Sequence, residues 1–268
     1  MEEKLMELNK DNYFSLEADR EYFSVSQFKS FRECEAKTVA KLNGEWTDGE
    51  NEAFLLGSYV HAWNEGTLEE FKDSHPEMYS SRGATKGQLK SNFLIGNKMI
   101  ETLSSDPTVE RVREGQKEVV MTTELFGGKW KIMIDIYNPK NKVFVDLKTT
   151  REIHKKYWNE DLGIKQNFIE YYDYLLQMAV YAEVERLNRG GRSYFQPHII
   201  AVSKEPVPDK AVIFMGTEFI QGKLLEVETL LPHFIKVKKG EMKPTRCEKC
   251  DYCRDTKKID KILHYLEL

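Results

Sequence analysis

The chain has 268 residues, 40% hydrophobic, 31% charged and 12% aromatic, with a formal net charge of −4 and four cysteines. That length suits one large domain or two small ones, and the composition is that of a globular fold with no whole-chain sign of disorder. It holds no run of about 18 apolar residues to span a bilayer, the charged start MEEKLMELNKDNYF lacks an apolar signal core, and the acidic balance argues against indiscriminate polyanion binding.

A helix is predicted from Ser24, where SVSQFKSFRECEAKTVAKL sets Phe28, Phe31, Val39 and Leu42 near one face, with Ser24 or Ser26 as N-cap and Cys34 in its middle. A second helix, EAFLLGSYVHAWNEGTLEEF, puts Gly57 and His61 four residues apart on one side. Asp73 to Gln88 reads as loop and Leu89 to Leu103 as helix. The β-region begins at Glu118 to Thr123 and turns at Phe126-Gly127-Gly128. The next strand places Trp130, Ile132, Ile134 and Ile136 on one face and Lys131, Met133 and Asp135 on the other.

Asn138-Pro139-Lys140-Asn141 has the chemistry of a type I turn. It leads into KVFVDLKT, a run apolar on both faces until Asp146, as expected in the middle of a mixed sheet. The polar, partly aromatic stretch Arg151 to Gln166 reads as one that orders on contact with a ligand. Phe168 to Leu187 is a strong helix with Gln177 and Tyr181 on one face. Two strands, QPHIIAVSK and KAVIFM, flank a turn at Glu205 to Asp209. A long helix over Thr217 to Lys239 carries Pro232, which should kink it. The chain closes with PTRCEKCDYCRDTKK and a short helix. Its tail, Lys236 to Lys261, is locally basic, as is Lys140 to Lys156.

Two constellations carry chemistry. Asp146 and Lys148 share a face of their strand, Leu147 points the other way, and Asp135 lies one strand over. A buried carboxylate needs a partner or a metal. Two carboxylates and an ammonium suit Mg²⁺ or Mn²⁺ and metal-assisted phosphodiester cleavage; the alternative is an ordinary cross-strand ion pair, worth at most about 1 kcal/mol. The second constellation is Cys247, Cys250 and Cys253, whose CxxCxxC spacing presents three thiolates from one loop. With Cys34 as a fourth, they would hold either an iron–sulfur cluster or zinc, stapling the first helix to the tail.

In this order the features resemble the PD-(D/E)xK nuclease superfamily, in its RecB-type branch. The phage RecE-like exonucleases are most similar, together with iron–sulfur members such as AddB and the CRISPR-adaptation nucleases. The matching residues are SVSQFKSFREC around Cys34, GSYVH ending in His61, MIDIY at Asp135, VDLKT at Asp146 and Lys148, QMAVY at Gln177 and Tyr181, and CEKCDYC in the tail. The resemblance implies an α/β restriction-endonuclease-like core, a central mixed sheet flanked by helices, with the N-terminal helix and C-terminal tail joined at a metal site. Residues 1–268 would form a single nuclease domain with a helical part at 24–110, the catalytic sheet and helix at 115–216, and a C-terminal helix and cysteine-rich tail at 217–268.

Carried over residue by residue, His61, Asp135 and Asp146 would bind the catalytic Mg²⁺ or Mn²⁺, and Lys148 would assist the attacking water. Gln177 and Tyr181 would line the site and touch the DNA backbone. Cys34, Cys247, Cys250 and Cys253 would hold a structural [4Fe–4S] cluster, with Zn²⁺ as the alternative. The second acidic position is Asp where Glu is frequent, and the last cysteine spacing is tighter than in most iron–sulfur members. The implied function is a cytoplasmic DNA exonuclease resecting duplex ends for phage-type recombination with a single-strand annealing partner, with or without assembly into a homo-oligomer. Tyr157, Trp158, Tyr171 and Tyr172 are candidates to stack on bases of a frayed strand. The rivals are a catalytically silent DNA-binding module on the same fold, against which the intact Asp, Asp, Lys set speaks, a CRISPR-adaptation-type nuclease, and an iron–sulfur redox protein, for which no flavin or nicotinamide motif is present.

Overall fold

The computed structural model describes residues 7–49, 52–259, 261–262 and 264–267. Before the sheet come α1 (Leu16–Glu21), α2 (Val25–Glu33), α3 (Glu35–Asn43), α4 (Glu52–Glu65), α5 (Leu68–Ser74), α6 (Ser91–Ser104) and α7 (Pro107–Val112). A meander follows, of β1 (Gln116–Leu125), β2 (Gly128–Asn138) and β3 (Val143–Thr150). A short hairpin, β4 (Tyr157–Asn159) and β5 (Ile164–Gln166), then leads through α8 (Phe168–Tyr171) and α9 (Tyr174–Arg189) to β6 (Gln196–Ser203) and β7 (Lys210–Phe214). The chain ends with α10 (Ile220–Lys238) and α11 (Asp251–Asp255). None of the described helices is long and apolar enough to cross a membrane.

The central sheet has the order β1-β2-β3-β6-β7. Its one parallel pair, β3 with β6, is joined by the crossover through α9, and its other pairs are antiparallel. Both faces are covered, which is why β3 and β6 read as nearly continuous apolar runs. On one face Trp130, Ile132, Ile134 and Phe144 pack with Phe28 and Phe31 of α2, Leu176 and Val180 of α9, and Val227 and Phe234 of α10. On the other, Val145, Leu147, Ile200 and Val202 pack with Leu56, Tyr59 and Val60 of α4 and Phe93, Met99 and Leu103 of α6. The mixed α/β architecture expected from the sequence is the one observed.

Local chemistry accounts for the boundaries. Ser24 caps α2 by accepting from Gln27 N at 3.2 Å, and Asp106 precedes Pro107 and accepts from Thr108 N at 2.8 Å. Asn167 and Glu170 form a reciprocal capping box at α8. In the β2–β3 turn Asn138 Oδ1 accepts from Asn141 N at 3.0 Å, as its turn chemistry requires.

Several expectations are corrected. The first predicted helix is two, broken at Cys34, which is extended (φ −163°, ψ 104°) and caps α3 through its sulfur. The break turns this thiol toward the tail, where Ala36 N donates to Thr245 O at 3.0 Å. The second helix ends at Glu65, because Gly66 (φ +91°) reverses the chain before α5. The helix predicted from Phe168 is interrupted at Asp173, which is left-handed (φ +49°). The stretch Arg151 to Gln166 carries its own two-stranded hairpin. Ile136 does not share a face with Trp130, Ile132 and Ile134, for it lies in the core beneath α4 and α6. The alternation fails at Asp135, where β2 stops pairing with β3.

Candidate active site and cysteine cluster

Strands β2 and β3 pair only over Asn138↔Val143, Tyr137↔Phe144 and Ile136↔Val145. Asp135 and Asp146 are the next residues along, at the fork where the strands part. Past the fork Phe23 takes up the free edge of β2, accepting from Lys131 N at 2.8 Å and donating to Lys129 O at 2.7 Å. The Asp135 carboxylate supplies the bond the ladder has lost, its Oδ2 accepting from Leu147 N at 2.6 Å. Its other oxygen lies 3.5 Å from His61 Nδ1, on α4.

Asp146 Oδ1 accepts from Gln177 Nε2 of α9 at 2.6 Å. Lys148 Nζ stands 2.8 Å from Asp146 Oδ2 but off the angle of a hydrogen bond, so this buried oxygen has no hydrogen-bond partner among the described residues. The same ammonium lies 4.6 Å over the ring of Tyr174. Tyr181 is one turn beyond Gln177 and partly buried against the α9-side core. His61 thus reaches the fork from one face of the sheet, and Gln177 from the other.

The electrostatics follow from crowding charge in a dry place. Burial pushes the Asp146 carboxyl up, against the pull of Lys148 and with the push of Asp135. Burial acts on Asp135 in the same sense, but His61, Lys148 and the Leu147 N–H together hold it below its usual value. Burial would lower His61, yet Asp135 more than offsets this and lifts it to about 9. Burial would lower Lys148, but Asp146, Tyr174 and Asp135 together more than offset it and raise the ammonium above its usual value. Burial, with Tyr13, Asp146 and Asp135 nearby, keeps the Tyr181 phenol protonated.

Two residues at this fork were not singled out by the sequence reading. Asn64, one turn after His61, donates to Asp135 O at 3.4 Å and accepts from Arg113 Nε at 3.1 Å and Lys117 Nζ at 3.3 Å. Glu118 is the other. The β1–β2 ladder skips one position, between Lys117↔Ile136 and Val119↔Ile134, and there Glu118 faces Asp135. Its backbone is left-handed (φ +51°), uncommon for a residue with a Cβ. Burial, with Asp135 adding to it, pushes its carboxyl up to about 8.

Donor atoms of His61, Glu118 and Asp135 all lie within 4.8 Å of one another; Asp146 is outside that trio, its carboxylate turned to Gln177 and Lys148. The signal for Glu118 was in the turn. Phe126 and Gly127 are both left-handed (φ +51° and +80°), as a two-residue hairpin turn of type I′ requires. That turn fixes the register, which sets Glu118 across from Asp135, a like-charge pair that is destabilising without a cation.

Beside the fork lies a row of tyrosines. Tyr174 approaches Tyr172 (5.9 Å between ring centroids), and Tyr157 stacks on Tyr171 (4.7 Å) and meets Tyr172 edge-on (5.5 Å). Tyr171, Tyr172 and, on β4, Trp158 are exposed. Lys29 of α2 donates to Tyr172 O at 2.8 Å.

The four cysteines converge although 219 positions separate Cys34 from Cys253. Their sulfurs all lie within 4.8 Å of one another, with Cys34 and Cys253 3.6 Å apart and Cys247 and Cys253 3.9 Å apart. Three of them already accept backbone N–H groups, as thiolate ligands do: Cys34 from Lys37, Cys247 from Cys250 and Cys250 from Cys253. The Lys249 and Cys250 amides hold the Cys247 thiol down to about 6. A tetrahedral ion with bonds of about 2.3 Å sets its sulfurs about 3.8 Å apart, close to these separations. A four-iron cluster binds each thiolate to a different iron and spreads the sulfurs by the width of the cluster.

Over residues 24–256 the chain matches a family described as a PDDEXK-like domain of unknown function (DUF3799). The crystal structure of a protein from Eubacterium rectale described as a "Putative exonuclease" superposes with a TM-score of 0.91, at 38% identity over 98% of each chain. The structure of SSO0001 reaches a TM-score of only 0.26, at 14% identity over 77% of this chain and 95% of its own, and carries no argument. No curated protein matches the chain. The matched span runs from the cap of α2 through the forked strands to the cysteine tail, and the chain belongs to the family of PDDEXK-like domains of unknown function.

Proposed function

We propose that this chain is a divalent-cation-dependent nuclease that hydrolyses DNA phosphodiester bonds from ends. The observation that carries this reading is the convergence of Asp135, Asp146, Lys148 and His61 where β2 parts from β3. Membership of a PDDEXK-like family and the exonuclease description of the E. rectale protein support it. The site suits a cation: Glu118 Oε1 is buried with no hydrogen-bond partner among the described residues, and Asp146 Oδ2 is buried with only the Lys148 ammonium beside it. Burying such charge without compensation is costly.

In this reading His61, Asp135 and Asp146 hold Mg²⁺ or Mn²⁺. When bound, the cation supplies Lewis-acid stabilisation of the phosphoryl oxygens and a more acidic water. Asp135 is oriented by Leu147 N–H and Asp146 by Gln177. Lys148, kept charged beside Asp146, orients the attacking water and offsets negative charge building on the phosphate. Tyr181 closes the inner wall and keeps its proton. The tyrosines from Tyr174 to Tyr157, with Trp158 and Lys29, offer stacking surface and positive charge to a single strand leaving the fork. The cysteines staple α3 to the tail, and their sulfur separations favour zinc over [4Fe–4S]. One nuclease domain with its helical part at 24–110, catalytic part at 115–216 and tail at 217–268, acting with a single-strand annealing partner, completes the proposal.

The test is cleavage of end-labelled linear duplex with Mg²⁺ or Mn²⁺, with Asp146→Asn as control. Ladder-free release of short products from ends, lost in the variant and in chelator, is expected. Absence of cation-dependent product from the wild type, or equal product from Asp146→Asn, refutes the reading.

A further inference from the structure

The fork holds more negative charge than the motif residues account for. Glu118, Asp135 and Asp146 are all buried there; Lys148 and His61 stand against Asp146 and Asp135, and Lys10 and Lys117 act on Glu118 through space. Glu118 is only 7% exposed, and its Oε1 has no hydrogen-bond partner among the described residues. A buried carboxyl with an unpartnered oxygen is expensive to hold, whether it keeps a proton or its charge. Its backbone is also left-handed in the middle of a strand, a conformation that costs about 1–2 kcal/mol for a residue with a Cβ. Both are accounted for if the side chain must reach the space between Asp135 and His61.

We propose that Glu118 is a protein ligand of a divalent cation, held by Glu118, Asp135 and one ring nitrogen of His61. The proposal rests on the cation-dependent reading above and names a ligand that the Asp and Asp-x-Lys pattern does not contain. The geometry suits a six-coordinate ion. With bonds of about 2.1 Å, neighbouring ligand atoms are about 3 Å apart and opposite ones about 4.2 Å apart. The three donors lie within 4.8 Å of one another, and His61 Nδ1 is 3.5 Å from Asp135 Oδ1. Of the three donors His61 is the most exposed, its side chain at 34%. An imidazole with two carboxylates favours Mn²⁺ over Mg²⁺, which takes oxygen donors and dehydrates reluctantly. Asp135 belongs to the trio, and Asp146, which accepts from Gln177 and is ion-paired with Lys148, stands beside it as the further carboxylate ligand of the reading above.

The experiment is direct titration of Mn²⁺ into the full chain, followed by calorimetry and by the electron paramagnetic resonance of free Mn²⁺. The variants are Glu118→Gln, Glu118→Asp and, as control, Glu124→Gln, an exposed carboxylate on the same strand. Glu118→Gln should bind Mn²⁺ at least tenfold more weakly than wild type, Glu118→Asp should fall between them, and Glu124→Gln should match wild type. Wild-type affinity and stoichiometry in Glu118→Gln overturn the proposal, as does failure of the wild type to bind Mn²⁺. If Glu118→Gln does not fold, Glu118→Asp keeps the charge and withdraws the carboxylate by one methylene, and wild-type binding by that variant is equally fatal. A chain that binds Mn²⁺ through Glu118 but cuts no DNA would sink the nuclease reading and leave this one standing.

Discussion

Replacing Cys34 by serine isolates one function of that residue from another. Serine can still accept from Lys37 N and cap α3, so what is lost is the sulfur that, in the proposed staple, ties α3 to the tail. A link between positions 34 and 253 closes a loop of roughly 220 residues, for which chain entropy gives on the order of 5 kcal/mol at 25 °C. That figure is an upper limit, because Glu35 Oε2 also accepts from Thr245 N at 2.7 Å and its Oε1 lies 2.7 Å from His233 Nε2 of α10. These contacts hold part of the tail without the metal, and a loss of about 2–5 kcal/mol is expected. At about 2 °C per kcal/mol for a chain of this size, the melting temperature should fall by about 4–10 °C. Calorimetry on wild type and Cys34→Ser, metal content of the same samples, and limited proteolysis at Lys249 and Arg254 measure the three consequences together. Wild-type protein should carry one zinc, and the variant none, with earlier cleavage in the tail. An unchanged melting temperature and unchanged tail protection would refute the staple; iron in place of zinc would refute the reading of the sulfur separations.

Other outcomes follow from the packing around the fork. Gln177→Ala removes the donor on Asp146 Oδ1 and should lower nuclease turnover by about 10- to 100-fold with little change in melting temperature. Gly96→Ala would bring a Cβ within 2.9 Å of Leu56 Cδ1 and Tyr59 Cδ1 where α6 crosses α4, a clash expected to destabilise by about 1–3 kcal/mol in thermal unfolding. Gly57→Ala meets only Thr149 Oγ1, at 3.5 Å; with helix propensity adding up to about 1 kcal/mol, its melting temperature should hold or rise. Lys29 is lowered by burial from 10.5 to about 8, so the folded state carries its proton at a disadvantage below pH 8. Lys29→Met should therefore raise stability most near pH 7, and the gain should shrink as pH rises from 8 toward 10.5. A gain that is flat with pH would refute desolvation of this ammonium in the folded state.

Much of this architecture is local enough to be written in neighbouring residues. Residues that favour strands located β1, alternation located β2 and an apolar run located β3; the turns at Phe126-Gly127-Gly128 and Asn138-Pro139-Lys140-Asn141 joined them, and helical patterns found α6, α9 and α10. Because Asp146 and Lys148 are two apart in a strand, their shared face needed no tertiary information, and Gln177 and Tyr181 on α9 were paired by the same reasoning. The CxxCxxC spacing likewise marked Cys247, Cys250 and Cys253 as one group.

What only the tertiary structure decided depends on contacts between distant segments. The break at Cys34 follows from the tail 219 positions away, since no local rule unwinds a run such as FRECEAKT. The loss of pairing between β2 and β3 depends on Phe23 taking over the edge of β2, and that parting moves Ile136 to the opposite core from Ile134. Glu118 becomes part of the fork because the hairpin register sets it across from Asp135 while α4 brings His61 over the same spot. A strand's own periodicity says which face a side chain takes, but the charges gathered at that face are set by the segments that fold back onto it.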